Sequence, residues 1–414
     1  MLAKELLSKI KKINHLHVLV VLFLLIIFVI AAAALPSTLA RVWRLFVVEE
    51  TDFRSDLRSL APVIAGRYYD SLDFDDPFLL NKGTYINVNG LMANIMGQRY
   101  MNERVKLKNG HLSYFGVDPY LDTGLAAYQL TMLNLELSDR GKHFLFVLAP
   151  GQISKYEDIM PLGFEADYNH HSDNLISALR FNNVPVLDLR EELYKDGIST
   201  SDALFKTDHH WRPETGFWAY GKIVEHLIEI GLIDTIDSRY TDINEYNVEV
   251  YENWFLGTAG QRTGRYFAGL DDFSIITPKF GTNLSVDIPN HKISKQGDFS
   301  TVGFDHTANY FDLFEANPYN AYGHACRDYK QYINDNAPTD LRIMGIGDSH
   351  GNVAFTYLAL VASSVTELDM RYYPGDFTVF FQNADPDIVI VLVGCDGVVN
   401  PNTTHDFYGY LHGR

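Results

Sequence analysis

The 414-residue chain has only two cysteines, Cys326 and Cys395. That excludes a disulfide framework, so a buried core must hold the fold, and both thiols are expected to be free, buried and without a part in catalysis. There is no HExxH pattern and no Cys/His spacing of the zinc-binding kind, so neither metal nor cofactor is expected. Low-complexity tracts and internal repeats are missing, which excludes solenoids and disordered linkers. Cations are scarce: 34 Lys and Arg stand against 52 Asp and Glu, for a net charge of -18. Residues 1–44 run the other way, with Lys4, Lys9, Lys11, Lys12, Arg41 and Arg44 against Glu5 alone, so the remainder is more acidic still. Such a surface repels phosphate backbones and excludes nucleic acid as a partner, whereas a neutral glycan meets no such barrier.

Long hydrophobic runs are also missing, with one exception. Residues 16–35 read LHVLVVLFLLIIFVIAAAAL. About 20 apolar residues at ~1.5 Å each span a hydrocarbon core of roughly 30 Å. The preceding basic flank, KELLSKIKKINH, is expected to stay in the cytoplasm, which leaves the rest of the chain extracytoplasmic. A cleaved signal peptide is the alternative, because AAAALPSTLA offers small residues for cleavage. The length of the run favours an anchor, and either reading exports the same domain. The expected organisation is a cytoplasmic segment (1–15), the anchor (16–35) and a catalytic domain (45–414) with an insertion (232–340).

Five short apolar runs read as buried strands: HFLFVLAP (143–150), VPVLDLR (184–190), LRIMGIGDS (341–349), TELDMRYY (366–373) and DIVIVLVG (387–394). Continuous runs bounded by turn residues suit a parallel sheet covered on both faces. Helical stretches alternate with them, one closing on Gly141 and another running from Pro213 to Gly231. The pattern predicts an α/β fold with a doubly wound parallel sheet. Residues 232–340 break the rhythm and are expected to form a β-rich insertion. In 45–115, LKNGHLSYFG carries an Asn-Gly turn between short strands, and both irregular regions are expected to wall the site.

Two segments carry chemistry. IGDSHGN (346–352) follows an apolar strand and opens a helix, which exposes Ser349 at the carboxyl end of the sheet beside helix N–H donors. Asp-Ser is also an ordinary helix cap. FKTDHHW (205–211) places Asp208 and His210 two residues apart, on one side of an extended segment, with His209 pointing elsewhere. A serine nucleophile needs such a base, and the base needs a carboxylate to fix its tautomer. The bland alternative makes Thr207 and Asp208 a helix cap with surface histidines. A metal alternative would add His170 and His171 to the cluster. Trp211 either packs the loop down or stacks on a sugar. In GTAGQRTGRY (257–266), Arg262 and Arg265 are candidates for holding substrate, or else form structural ion pairs.

Together, TDHHW and GDSHGN resemble the DHHW family and the related SGNH-like domains of alginate O-acetyltransferases. APGQISKYEDIMP (149–161) and VLDLREEL (186–193) extend the resemblance. It implies a circularly permuted SGNH-like (flavodoxin-like) sheet with Ser349 as nucleophile, His210 as base and Asp208 as orienting acid. It also implies serine-dependent acetyl transfer or ester hydrolysis on a cell-surface or secreted polysaccharide, with a membrane-bound acyltransferase supplying acetyl groups. Gly257, Gly260 and Asn352 are the oxyanion candidates, beside the Ser349 N–H. The rival class is an inactive glycan-binding or scaffold protein of a polysaccharide-modification system.

Overall fold

A computed structural model of the chain describes residues 24–25, 82–114, 123–164, 168–305, 313–373, 375 and 377–395. The chain divides into two compact units, 1–85 and 86–414, and the sheet and the candidate site lie in the second. No helix among the described residues is long and apolar enough to cross a membrane. The expected anchor at 16–35 falls outside them, save Leu24 and Leu25.

Helix α1 (Lys82–Ile95) leads into a small antiparallel sheet of β1 (Tyr100–Met101), β2 (Arg104–Lys106) and β3 (Leu112–Tyr114). The Asn-Gly turn between β2 and β3 is present, with Gly110 at φ 88°, where a side chain would be strained. Then follow α2 (Gly124–Asp139), β4 (His143–Ala149), α3 (Tyr168–Phe181), β5 (Val186–Asp188), α4 (Leu189–Lys195) and α5 (Pro213–Glu229). Pro213 takes the first helical position of α5, where its missing N–H costs nothing.

The expected insertion contributes β6 (Tyr246–Phe255), the short helix α6 (Thr258–Thr263), β7 (Asp271–Pro278), β8 (Leu284–Ile288), β9 (Ile293–Gly297) and β10 (Tyr329–Ile333). The last part holds β11 (Arg342–Gly347), α7 (Gly351–Leu358), β12 (Ser364–Leu368), α8 (Phe377–Ala384) and β13 (Ile388–Gly394). All five strands read from the apolar runs are present.

The main sheet has eight strands in the order β5-β4-β13-β11-β12-β10-β8-β9. The first five run parallel, and β10, β8 and β9 add on antiparallel. This corrects the expectation of a parallel sheet: the sheet is mixed, and three strands of the supposed insertion extend it. Of the strands in 232–340, β6 and β7 stand apart, as an antiparallel pair.

Side-chain alternation explains why the apolar runs are continuous. Leu145, Val147, Ile343, Ile388 and Ile390 face one core layer, which holds Phe217, Ile223 and Leu227 of α5 and Val353 and Phe355 of α7. Phe144, Phe146, Met344, Val389 and Val391 face the other, with Leu130 and Leu133 of α2, Leu175 and Leu179 of α3, and Phe381 of α8. Both faces of the central strands are therefore dry, and all seven residues of β13 are buried. Each such Val, Ile or Leu contributes roughly 1.5–3 kcal/mol relative to exposure.

The path from β4 to β5 passes through α3 on one face. The path from β11 to β12 runs in the opposite direction through α7 on the other face. That divergence opens a crevice at the carboxyl ends of the strands between them, the usual place for an α/β site.

Candidate active site

Ser349 stands at that crevice, one turn after β11. Gly351 N–H donates to the Asp348 carbonyl (3.0 Å) and Asn352 N–H to the Ser349 carbonyl (3.3 Å), so the turn runs directly into α7. Beneath it, the Asp348 carboxylate accepts from the His350 N–H (2.9 Å), the His350 ring Nδ1 (3.0 Å) and the Gly394 N–H at the end of β13 (3.0 Å). Burial alone would raise the Asp348 pKa, but the His350 imidazole and these N–H donors hold it well below the usual carboxylate range. Only glycine fits at 394, because a Cβ there would lie 2.4 Å from His350 Cε1. The nucleophile turn is thus anchored by a buried anion rather than merely capped.

The second half comes from residues 204–211, a loop pinched shut by a bridge between Leu204 and Trp211. The stretch 206–210 is a series of bends, not an extended segment. Asp208 Oδ1 accepts from the His210 N–H two residues on (3.1 Å), an Asx-type turn, and the same oxygen lies 2.5 Å from His210 Nδ1. This local closure, not strand alternation, puts the two side chains together. It also turns His209 back: its ring centre lies 3.9 Å from that of His210, the planes tilted by 38°, and its Nδ1 sits 3.4 Å from Asp208 Oδ1. The expectation that His209 points elsewhere is therefore wrong.

His210 Nε2 is 2.5 Å from Ser349 Oγ. The structure thus brings Asp208, His210 and Ser349 into one hydrogen-bonded chain, with Asp208 and His210 buried and Ser349 half-buried. In the tautomer that satisfies every contact, Nδ1–H donates to Asp208 and Nε2 accepts the serine hydroxyl. Tyr319, fully buried, stacks on the other face of the His210 ring at 4.1 Å.

Three further groups clamp the loop. Gln152, just after β4, donates its amide to the carbonyls of Phe205 (2.7 Å) and Asp208 (2.5 Å), while its oxygen faces His111 Nδ1 at 3.0 Å. Asp271, at the start of β7, accepts from the N–H groups of Lys206 and Thr207 and from the Thr207 hydroxyl. Thr258 N–H, opening α6, donates to Asp208 Oδ2 (2.6 Å). Of these, Gln152 lay in a segment that the sequence singled out. Thr258 and His350 lay in such segments too, GTAGQRTGRY and IGDSHGN, but without a role assigned, whereas Asp271 and Tyr319 had no sequence signal, because each meets its partner across 64 or more residues.

The remaining sequence candidates have other places. Gly257 is no oxyanion donor: its N–H donates to Thr207 Oγ1 (2.8 Å), and a Cβ there would lie 2.2 Å from Asp208 Cβ. Gly260 N–H is likewise spent on the Thr207 carbonyl. Asn352 is buried, its oxygen facing Lys330 Nζ (3.3 Å) and its amide Cys326 Sγ (3.7 Å). Among the described residues the Ser349 N–H has no hydrogen-bond partner. Trp211 is fully buried with its ring edge-on to His350, so it packs the loop down and offers no face to a sugar. Arg262 and Arg265 are exposed, and Arg265 leans on Tyr266. Neither makes an ion pair among the described residues.

His170 and His171 lie on α3, away from the Asp208 cluster. Ligand atoms of Asp208, His209 and His210 do lie within 4.8 Å of one another. In this arrangement Asp208 Oδ1 and both His210 ring nitrogens are already engaged with each other and with Ser349, so a metal would have to dismantle the chain. Both cysteines are free. Cys395 is buried and donates to the Ala149 carbonyl, and burial pushes the Cys326 thiol up to about 11.

Burial pulls the His210 pKa down to about 3, helped by the neighbouring His209 and opposed by Asp208. For Asp208, burial works upward, but the two imidazoles and the Thr258 N–H hold it far below the usual range. The resting pair is therefore a carboxylate and a neutral imidazole. A base must be unprotonated to work, and a depressed pKa preserves that form into acid. The acid limb of kcat/KM against pH is expected well below the ordinary histidine value of about 6.5. A limb at or above that value would contradict the burial of His210 as the controlling influence.

Comparison with known proteins bears on the fold and on the first part of the domain. Residues 124–251 match the family model of the SGNH hydrolase-like domain of the acetyltransferase AlgX, a span that holds Asp208 and His210 but not Ser349. None of the curated proteins matches the sequence. Among solved structures, Bacillus cereus PatB1 superposes with a TM-score of 0.57 at 16% identity, covering 74% of this chain and 98% of that one. A DHHW family protein from Eubacterium siraeum gives 0.55 at 16% identity, covering 75% and 96%. The chain is therefore similar, in sequence over 124–251 to an SGNH hydrolase-like acetyltransferase domain and in fold to PatB1 and a DHHW protein, which is the resemblance that TDHHW and GDSHGN carry.

Proposed function

We propose that the chain is an SGNH-type serine O-acetyltransferase acting on a polysaccharide, with water as a competing acceptor. The observation that carries this reading is the continuous contact Asp208–His210–Ser349, 2.5 Å at each link. The similarity to an acetyltransferase domain supports the acyl group as acetyl.

His210 Nε2 takes the proton of Ser349 Oγ as that oxygen attacks the acetyl carbon of an ester donor. The tetrahedral oxyanion receives the Ser349 N–H, beside the opening turn of α7. The donor C–O bond breaks, His210 returns the proton to the leaving oxygen, and acetyl-Ser349 remains. A glycan hydroxyl then attacks, loses its proton to His210, and expels the serine oxygen, which recovers that proton. Asp208 holds Nδ1–H throughout and balances the transient imidazolium.

The reading places this domain outside the membrane, tethered by residues 16–35 with the basic flank inside. A membrane-bound acyltransferase supplies the acetyl donor. The test uses the purified full chain with a chromogenic acetyl ester and a glycan acceptor, followed by mass spectrometry. An acetylated peptide containing Ser349 and acetyl groups on the glycan are expected. Released acetate with an acetyl-Ser349 peptide but unmodified glycan would make the protein an esterase, and neither product would end the proposal.

A further inference from the structure

A cavity of about 280 Å³ opens at the same edge of the sheet as Ser349, beside the triad rather than at it. Its floor is the Pro150–Gly151 backbone after β4 and Arg190 after β5, and its rim carries Lys155, Tyr156 and Tyr194. In the sheet order β5-β4-β13-β11 the cavity lies two to three strands from the nucleophile, roughly 10–15 Å across the sheet. Gly151 and Ile153 flank Gln152, whose amide holds the Asp208 carbonyl, so one short loop serves both places.

Every charged side chain lining the cavity is already partnered. The Arg190 guanidinium is buried, with Nε and one terminal nitrogen on Asp188 (2.9 and 2.6 Å), and it also reaches Asp173 (2.7 Å) and Asn169 (3.2 Å). Lys155 Nζ pairs with Asp173 at 3.0 Å. Glu157 accepts from the Thr200 N–H and hydroxyl, both at 2.8 Å. A phosphate or carboxylate would find no free cation here, and the anions around these side chains outnumber the cations. What reaches solvent is aromatic, with Lys155 Nζ 5.5 Å from the centre of the Tyr156 ring. Tyr156 and Tyr194 stack at 4.3 Å with 18° between their planes, yet are 42% and 63% exposed. Two large rings held parallel in solvent beside a fixed polar floor suit a molecule with one apolar face and a ring of hydroxyls.

We infer that this cavity is an acceptor subsite for an uncharged sugar unit of the glycan, seated on the Tyr156–Tyr194 pair so that a hydroxyl a few units along the same chain reaches Ser349. The inference rests on the transferase reading for its purpose but on the cavity alone for its chemistry. A chain bound at both places makes two contacts for one loss of translational freedom, which raises the local concentration of the acceptor hydroxyl at acetyl-Ser349.

The test is calorimetric binding to the full-length Ser349→Ala chain. The probes are neutral hexasaccharides of glucose, mannose, galactose and N-acetylglucosamine, with a uronic acid hexamer beside them. At least one neutral hexamer is expected to bind. Adding Tyr194→Ala should weaken it about tenfold, the scale of a lost aromatic face. Tyr128→Ala, an exposed tyrosine on α2, serves as the control and should leave binding unchanged. No binding by any neutral hexamer, binding of the uronate alone, or equal affinity with and without Tyr194 would each overturn the subsite. Turnover of the chromogenic ester by the wild-type chain is read separately. Its absence would end the transferase reading without bearing on whether the cavity holds sugar.

Discussion

Ser349→Ala is expected to lower acetyl-ester turnover by about ten-thousandfold or more, while the thermal midpoint stays within a degree or two of wild type. The first part follows from the mechanism: without Oγ there is no acyl-enzyme, and what remains is an oxyanion donor and bound substrate. A ten-thousandfold loss corresponds to about 5.5 kcal/mol of transition-state stabilisation. The second part follows from the packing. Ser349 is half-buried, and among the described residues its hydroxyl meets only His210 Nε2, whose lone pair water can satisfy at that partly open position. Turnover equal to wild type would remove serine catalysis from this protein. A large fall in the thermal midpoint would show instead that the hydroxyl is structural.

Asp208→Asn should be nearly as damaging to rate, and it should also cost stability. The carboxylate accepts from four directions: His210 N–H and Nδ1–H on one oxygen, Thr258 N–H on the other, and His209 Nδ1 at longer range. An asparagine offers one acceptor oxygen and an NH2 group. If the oxygen stays toward His210, the NH2 abuts the Thr258 N–H. If it turns toward Thr258, the NH2 faces His210 Nδ1 and forces the other tautomer, whose Nε2–H cannot take the serine proton. The rate loss expected from the wrong tautomer is about ten-thousandfold. The buried donor left without an acceptor costs about 1–3 kcal/mol. The check is kcat beside a thermal melt. A variant within tenfold of wild type would mean that Asp208 does not set the tautomer.

The fold was legible where burial on two faces writes its own signature. Segments such as DIVIVLVG can satisfy neither a half-exposed strand nor a loop, so their place in the sheet interior followed from composition alone. The antiparallel extension was not legible. Tyr329–Ile333 and Leu284–Ile288 alternate buried and exposed residues, and such a pattern announces a strand without saying which sheet receives it. For the site, Asp208, His210 and Ser349 could be picked out because their residue types have few other joint uses. The turn that joins the first two could not. It is made by a carboxylate capping its own backbone and by Gln152, Thr258 and Asp271, which are near only once the chain has folded. The same locality problem misplaced His209: an extended segment would point it away from Asp208 and His210, whereas the bends fold it back beside them.

The clamps around residues 204–211 make activity a property of the whole domain. Gln152 reaches in from the end of β4, Thr258 from α6 and Asp271 from β7, while Gly394, at the end of β13, holds the Ser349 turn through Asp348. These tethers come from residues spread between 152 and 394, so the proton relay is expected to lose register when any one of them is missing. A partly folded chain is therefore expected to hydrolyse no ester, and chemistry is expected to switch on only once β13 has found its slot.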